Sequence, residues 1–255
     1  MTELLYFSFY PFLLVWIRIL GLFLTAPVFN SRVIPVLAKL GFSFLLGIII
    51  FPTLNAPQVV VQGTGTYVLS LMAELLLGIA LGFVTNLIFS AIQIAGEIID
   101  FQMGFSYVNV VDPLSNLGSS VMGQFYLMVA LLYYLGIGGH YLALQGIAYS
   151  FQTIPLGRFT LEAEMFPSFL ALLKEVMIIA LQLGAPVIGA LFLANFTLAI
   201  ISRAIPQMNV FIVGLPLNIG VGFLMSLMTL PYLFPFLERI VELFLRGFFR
   251  IFALP

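Results

Sequence analysis

Ionisable side chains inside long apolar runs come first, because a charge at the centre of a bilayer costs about 2.5–3.5 kcal/mol on insertion scales. Arg18 lies in one such run and Glu74 in another. Arg18 suits a pore-facing or intersubunit pair; it also suits an arginine that snorkels, or that bonds a neighbouring carboxylate such as Glu74. Glu74 admits a proton- or cation-coupling reading, since intramembrane carboxylates mark ion paths. Its best companions, Lys174 and Glu175, are adjacent to each other near the start of a different segment. Glu97 and Asp100 are three residues apart and share a helix face. As a catalytic carboxylate pair they lack a base partner, a metal-ligand set and a nucleophile, so a solvated helix end is expected there.

His140 follows Gly136-Ile137-Gly138-Gly139. The glycines allow close helix approach with the histidine bonding across the interface; a proton relay is the competing reading. This glycine-rich stretch lacks the spacing and the Lys-Ser/Thr of a phosphate-binding loop. Arg203 stands beside Pro206 in the tight link Ser202-Arg203-Ala204-Ile205-Pro206-Gln207-Met208-Asn209, which suggests a bonded junction. Cysteine is absent and His140 is the sole histidine, which excludes disulfides, thiolate chemistry and His-rich metal sites. No enzyme activity, cofactor or metal is expected.

The elements that must position these residues are apolar helices. Of 255 residues 62% are hydrophobic and 7% charged, with mean hydropathy +1.19. Soluble domains carry about 25% charged residues, so a water-exposed surface could not be covered. The net charge of −1 and the scattered Lys and Arg give no field for nucleic acid. Met1 to Tyr10 contains Glu3 and no basic residue, unlike a cleaved leader, and Leu4–Leu24 reads as a retained first helix.

About six segments reach membrane-spanning length, at about 20 apolar residues each: Leu4–Leu24, Val36–Leu54, Tyr67–Ala95, Val121–Ile147, Phe169–Ile201 and Val210–Leu237. The third and fifth would measure roughly 43 Å and 50 Å, against about 30 Å of hydrocarbon. They also carry Asn86, Gln93, Gln182 and Asn195. Pro11, Pro186 and Pro216 fall inside segments and predict kinks. The tail after Glu238 alternates charge with apolar residues, as an interfacial amphipathic helix does. Arg32 and Lys39 mark the first link as cytoplasmic, whereas the acidic third link and the basic tail fit an alternating topology poorly. Together these features predict an all-α membrane protein of kinked helices packed against protein as much as lipid.

The stretch from Phe101 to Ser120 is too apolar for a solvated loop and too broken by Gly, Asn and Asp-Pro for a span. Non-helical backbone at membrane depth is tolerated only inside protein or along an aqueous cavity. A loop that enters a conduit and closes it meets both conditions; a re-entrant or interfacial loop without a gating role meets them as well.

At this loop and its flanks the chain resembles the FliR family of flagellar biosynthetic proteins. The resemblance rests on Gly96-Glu97-Ile98-Ile99, Gln102-Met103-Gly104-Phe105-Ser106, Val111-Asp112-Pro113, Gly139-His140 with Gln145, and the run from Ser202 to Leu217. Order, spacing and total length agree over nearly the whole chain. The resemblance implies a single export-gate domain, 1–255, in a FliP–FliQ–FliR assembly at the bacterial inner membrane, within the flagellar basal body. Unfolded exported proteins would pass through it, FlhB would dock near its entrance, and the basal-body ring would surround it. It implies a plug-like gating loop between segments three and four: Phe105, Ser106, Tyr107, Val108, Asn109, Val110, Val111, Asp112, Pro113, Leu114, Ser115, Asn116, Leu117 and Gly118. Arg18, Glu74, His140, Arg203, Pro206, Gln207 and Asn209 are then the candidate assembly or packing residues. Two alternatives stand beside it: an injectisome subunit of the same architecture, and a small secondary transporter with its site near Arg18 and Glu74.

Overall fold

The computed structural model describes residues 2–31, 33–54, 63–105, 120–159 and 165–252. Among these the chain is all α-helical apart from turns and one 3-10 turn, Phe51–Thr53. The helices are α1 (Thr2–Thr25), α2 (Val36–Ile50), α3 (Thr64–Met103), α4 (Val121–Gly136), α5 (Gly139–Thr153), α6 (Met165–Ala204) and α7 (Val210–Phe252).

Each expected apolar segment is helical, with boundaries set by local breakers. α3 continues past Ala95 to Met103 and stops where Gly104 turns to φ 93°. There Gly104 N–H bonds the Phe101 carbonyl and Phe105 N–H bonds the Asp100 carbonyl, each at 3.2–3.3 Å, which satisfies the orphan carbonyls of the last turn. The fourth segment is two helices, α4 and α5, bent by 69°. Gly138 at φ 75° makes the break, a conformation that a side chain with a Cβ rarely adopts. α7 takes in the charged tail as far as Phe252 and runs through Pro216, Pro231 and Pro235, as α1 runs through Pro11 and α6 through Pro186.

Among the described residues, four helices are long and apolar enough to cross a membrane, and the bent pair makes a fifth if counted as one span. α1 adds a shorter apolar stretch, Phe9–Thr25. α3 and α6 have 40 residues each and α7 has 43. At 1.5 Å per residue they reach about 60–65 Å, twice the hydrocarbon thickness. No tilt within the usual range shortens such helices to one bilayer, so parts of each lie beyond the acyl chains.

The chain forms two compact units, one of Met1–Ile88, Tyr134–Leu172 and Val241–Pro255, the other of Phe89–Tyr133 and Leu173–Ile240. In the first, α1 buries Leu14, Arg18, Ile19 and Leu22 along one stripe of helical period, and Ala26 just past its end is buried too. It meets α3 at glycine contacts. A Cβ on Gly21 would stand 2.6 Å from the Leu75 carbonyl oxygen, and one on Gly78 would collide with the Arg18 carbonyl. Thr25 Oγ1 crosses the same contact to the Ile79 carbonyl at 3.1 Å. Small residues with a cross-helix hydroxyl bond are how apolar helices associate where lipid removes the hydrophobic driving force. In the second unit the same device joins α3 to α4, where a Cβ on Gly96 would stand 2.6 Å from the Cα of Gly123.

Candidate functional site

In the first unit the close α1–α3 approach places Arg18 beside Glu74, both fully buried. Arg18 Nε bonds Glu74 Oε2 at 2.5 Å. Nη1 donates to the Ser150 carbonyl at 3.0 Å and to Ser150 Oγ at 3.2 Å, and Nη2 donates to the Ile154 carbonyl at 3.1 Å. Ser150 and Ile154 end α5, so the guanidinium caps carbonyls that carry that helix's negative dipole end. The Phe151 ring lies 4.3 Å from the Arg18 Cζ. The other carboxylate oxygen, Oε1, accepts the Gly157 amide at 2.8 Å, in a turn where Gly157 has φ 71°.

One cluster therefore ties α1, α3, α5 and the following turn. Of the two readings open for Arg18 in the sequence, the bond to Glu74 is present. Each guanidinium nitrogen and each carboxylate oxygen has a partner. Such a network is held tightly, because removing one member strands a buried charge. It offers no free carboxylate oxygen to a transported ion.

In the second unit Asp100 is 4% exposed, and its Oδ1 accepts the Met122 amide at 3.0 Å. Ser120 Oγ accepts the Gly123 amide at 2.8 Å. Two side chains thus satisfy two of the orphan donors at the start of α4. This corrects the expectation of a solvated acidic pair: Glu97 is exposed and bonded to Gln93, whereas Asp100 is a buried cap. The signal was present in Ser120 ahead of an apolar run, but the second cap, Asp100 on α3, lies 22 residues before the Met122 amide whose bond it accepts.

These caps frame the segment between α3 and α4. Of the expected plug loop Phe105 to Gly118, Phe105 is described, and Ser106 to Gly118 lie outside the described residues. Phe105 meets the Phe223 ring of α7 edge-on, with centroids 6.2 Å apart. A cleft of about 450 Å³ opens beside it, lined among others by Gln102, Gly104, Asn195, Ser202, Phe211 and Asn218. Asn218 Nδ2 bonds Asn195 Oδ1 at 2.8 Å there.

His140 begins α5 just past the bend, its ring 4.1 Å from that of Tyr141. Its Nδ1 is buried with no hydrogen-bond partner, so no cross-interface bond from that atom accompanies the packing. Arg203, Pro206 and Gln207 are exposed. Asn209 Oδ1 accepts the Phe211 amide at 3.1 Å and caps α7. Arg18 and Glu74 are the candidate residues that the fold brings together; Ser150, Ile154 and Gly157, which complete their cluster, carry no sequence signal for that role.

The sequence profile described as "Bacterial export proteins, family 1" matches residues 9–244. The chain belongs to this family. It is 40% identical over 246 residues to the flagellar biosynthetic protein FliR of Bacillus subtilis (strain 168), covering 95% of each chain. With the FliR of Escherichia coli (strain K12) it shares 35% identity over 227 residues, 88% of this chain and 85% of that one. The Yop proteins translocation protein T of Yersinia pestis is 27% identical over 212 residues, covering 82% of this chain and 81% of that protein. This FliR-family chain is thus a membrane-embedded component of a bacterial export apparatus, and these relatives are named as biosynthetic and translocation proteins rather than as enzymes.

Proposed function

We propose that the chain is a core subunit of the flagellar type III secretion export gate at the bacterial inner membrane. In this reading its whole length, 1–255, acts as one export-gate domain. With FliP and FliQ it forms the channel through which unfolded flagellar subunits cross. FlhB docks near the entrance, and the basal-body ring surrounds the assembly. The loop from Phe105 to Gly118 helps to close the channel, while Arg18, Glu74, His140, Arg203, Pro206, Gln207 and Asn209 serve packing or assembly.

The observation that carries this reading is end-to-end similarity to flagellar FliR, covering 95% of both chains. Identity to the Yop translocation protein is lower, 27% against 40%, which favours the flagellar system over an injectisome. Helices twice as long as the hydrocarbon is thick suit a subunit surrounded by other subunits. The saturated Arg18–Glu74 cluster weighs against a transporter site at those residues.

Purification of the tagged full chain from flagellated cells tests the proposal. FliP and FliQ should co-purify in unequal copy number, and deletion of the gene should abolish motility until the chain is restored. A stable homo-oligomer that binds a small molecule and lacks both partners would instead establish the transporter reading.

A further inference from the structure

The cleft of about 450 Å³ in the second unit has walls whose chemistry suits one class of guest. α6 and α7 form its sides as a hairpin, so close that a Cβ on Gly214 would stand 3.3 Å from Leu198 Cδ1. The turn that stops α3 forms its end, tight against α7, where a Cβ on Gly222 would collide with the Met103 side chain. Four lining side chains are polar, Gln102, Asn195, Ser202 and Asn218; the rest are apolar or glycine, and none of the lining residues is charged. Asn218 gives one side of its amide to Asn195 at 2.8 Å, while its Oδ1 is buried with no hydrogen-bond partner. Turning the amide over would leave the nitrogen unpartnered instead, so one polar atom of Asn218 lacks a partner either way. Ser202 Oγ donates to the Ala199 carbonyl of its own helix at 2.9 Å, which leaves its lone pairs for an incoming N–H.

We infer that this cleft takes a short stretch of extended polypeptide in passage, holding its peptide groups rather than its side chains. The inference rests on the export-gate reading and adds a subsite to it. The first reason is charge. An ionic guest would lose its hydration against walls that offer no countercharge, which disfavours phosphates, nucleotides and charged side chains. The second is the kind of polar group. Side-chain amides and a hydroxyl can each donate and accept, and a peptide group presents one donor and one acceptor at every residue but proline, whatever the side chain. Recognition through main-chain groups therefore tolerates any sequence, as a conduit for many proteins must. The third is place. Gly104 lines the cleft, and Phe105, where the proposed gating loop begins, lies beside it against the Phe223 ring. A site at the root of that loop is open to a chain passing the loop. Neutral hydrogen bonds exchanged against water contribute little net free energy, so the chain is kept in line without being trapped.

Photocrosslinking in flagellated cells tests this. The full chain carries p-benzoylphenylalanine in place of Phe211, an exposed ring in the cleft wall. An exported flagellar subunit fused to a folded domain is stalled in the channel, and linkers of graded length bring different segments of it to the cleft. Irradiation should join the chain to the stalled subunit at every linker length, because each segment presents the same peptide groups. Asn218→Leu should cut the adduct yield several-fold while FliP and FliQ still co-purify. Ser202→Ala, which loses a single hydroxyl, should lower the yield as well and serves if Asn218→Leu does not assemble. An adduct with another subunit in place of the stalled one would overturn the proposal, as would an adduct at one linker length alone. Equal yields from the parent and the variants would overturn it too. If the stalled subunit does not co-purify with the chain, the export-gate reading itself falls; its presence without an adduct at Phe211 overturns the cleft alone.

Discussion

Arg18 on α1 and Glu74 on α3, 56 residues apart, form a wholly buried ion pair whose every hydrogen-bonding atom is engaged. The pair costs desolvation, and its remaining donors and acceptor recover part of that cost by fastening the end of α5 and the Gly157 turn. Its consequence is a strong asymmetry between breaking the pair and replacing it. Arg18→Met alone or Glu74→Leu alone should destabilise the protein by about 3–5 kcal/mol, because each strands a buried charge. The double replacement should recover part of that loss, though not the caps on Ser150 and Ile154. Thermal unfolding of the purified chain in detergent checks this, and a double variant as unstable as the sum of the singles would refute the pairing argument.

Glycine contacts give a prediction with a built-in control. Gly78→Ala puts a Cβ into the Arg18 backbone and should push α1 off α3, at a cost of about 1–3 kcal/mol for overpacking. Gly41 on α2 has nothing within 4 Å, so Gly41→Ala should gain about 0.5–1 kcal/mol from helix propensity. Equal melting temperatures for the two variants would show that the α1–α3 approach is not tight.

Asp100→Ala removes one of the two caps on α4 and should cost about 1 kcal/mol. The effect is local. Hydrogen exchange at the Met122 amide should accelerate while the middle of α4 is unchanged; unchanged exchange at Met122 would remove Asp100 from the cap.

Val28 holds a φ of 71°, and the Phe29 amide bonds the Pro27 carbonyl at 2.9 Å across it. This three-residue turn of the rarer hand is unfavourable for a β-branched side chain, by about 1–3 kcal/mol. Val28→Gly relieves the strain and restores unfolded-state entropy worth about 0.5–1 kcal/mol. The expected outcome is stability equal to the parent or higher by about 1 kcal/mol. A clear fall in melting temperature would mean that the valine side chain makes a contact worth more than its strain.

Deletion of Ser106–Leu117 tests the proposed plug. Cells carrying the shortened chain in an assembled complex should leak ions across the inner membrane. Unchanged conductance with assembly intact would refute the gating role.

Membrane class, helical content and the apolar segments were legible in the residues alone, since a run of about 20 apolar side chains and its glycine and proline breaks are local properties. The break in the fourth segment was not legible there: Gly136, Gly138 and Gly139 suit close packing within one segment, and only the backbone shows that Gly138 turns left-handed and splits it into α4 and α5. Family membership was legible too, through motifs spread along the chain rather than through any one of them. Arg18 and Glu74 stood out because charges are rare in apolar helices, and Glu74 could be named as a partner, but not chosen over snorkelling.

What the tertiary structure decided is which distant groups meet. Ser150, Ile154 and Gly157 contribute backbone atoms to the Arg18–Glu74 cluster, and a backbone carbonyl or amide leaves no trace in residue type. Asp100 changed from a solvated acid to a buried cap because α4 starts against α3, a meeting set by the Gly96–Gly123 approach. The same holds for α2. Its residues are apolar almost throughout, so the sequence determined that it is an apolar segment, while packing against α1 determined that Lys39 and Ser43 face inward and leucine, isoleucine and phenylalanine face out. Hydrophobicity is a property of each residue, but orientation belongs to the pair of helices in contact.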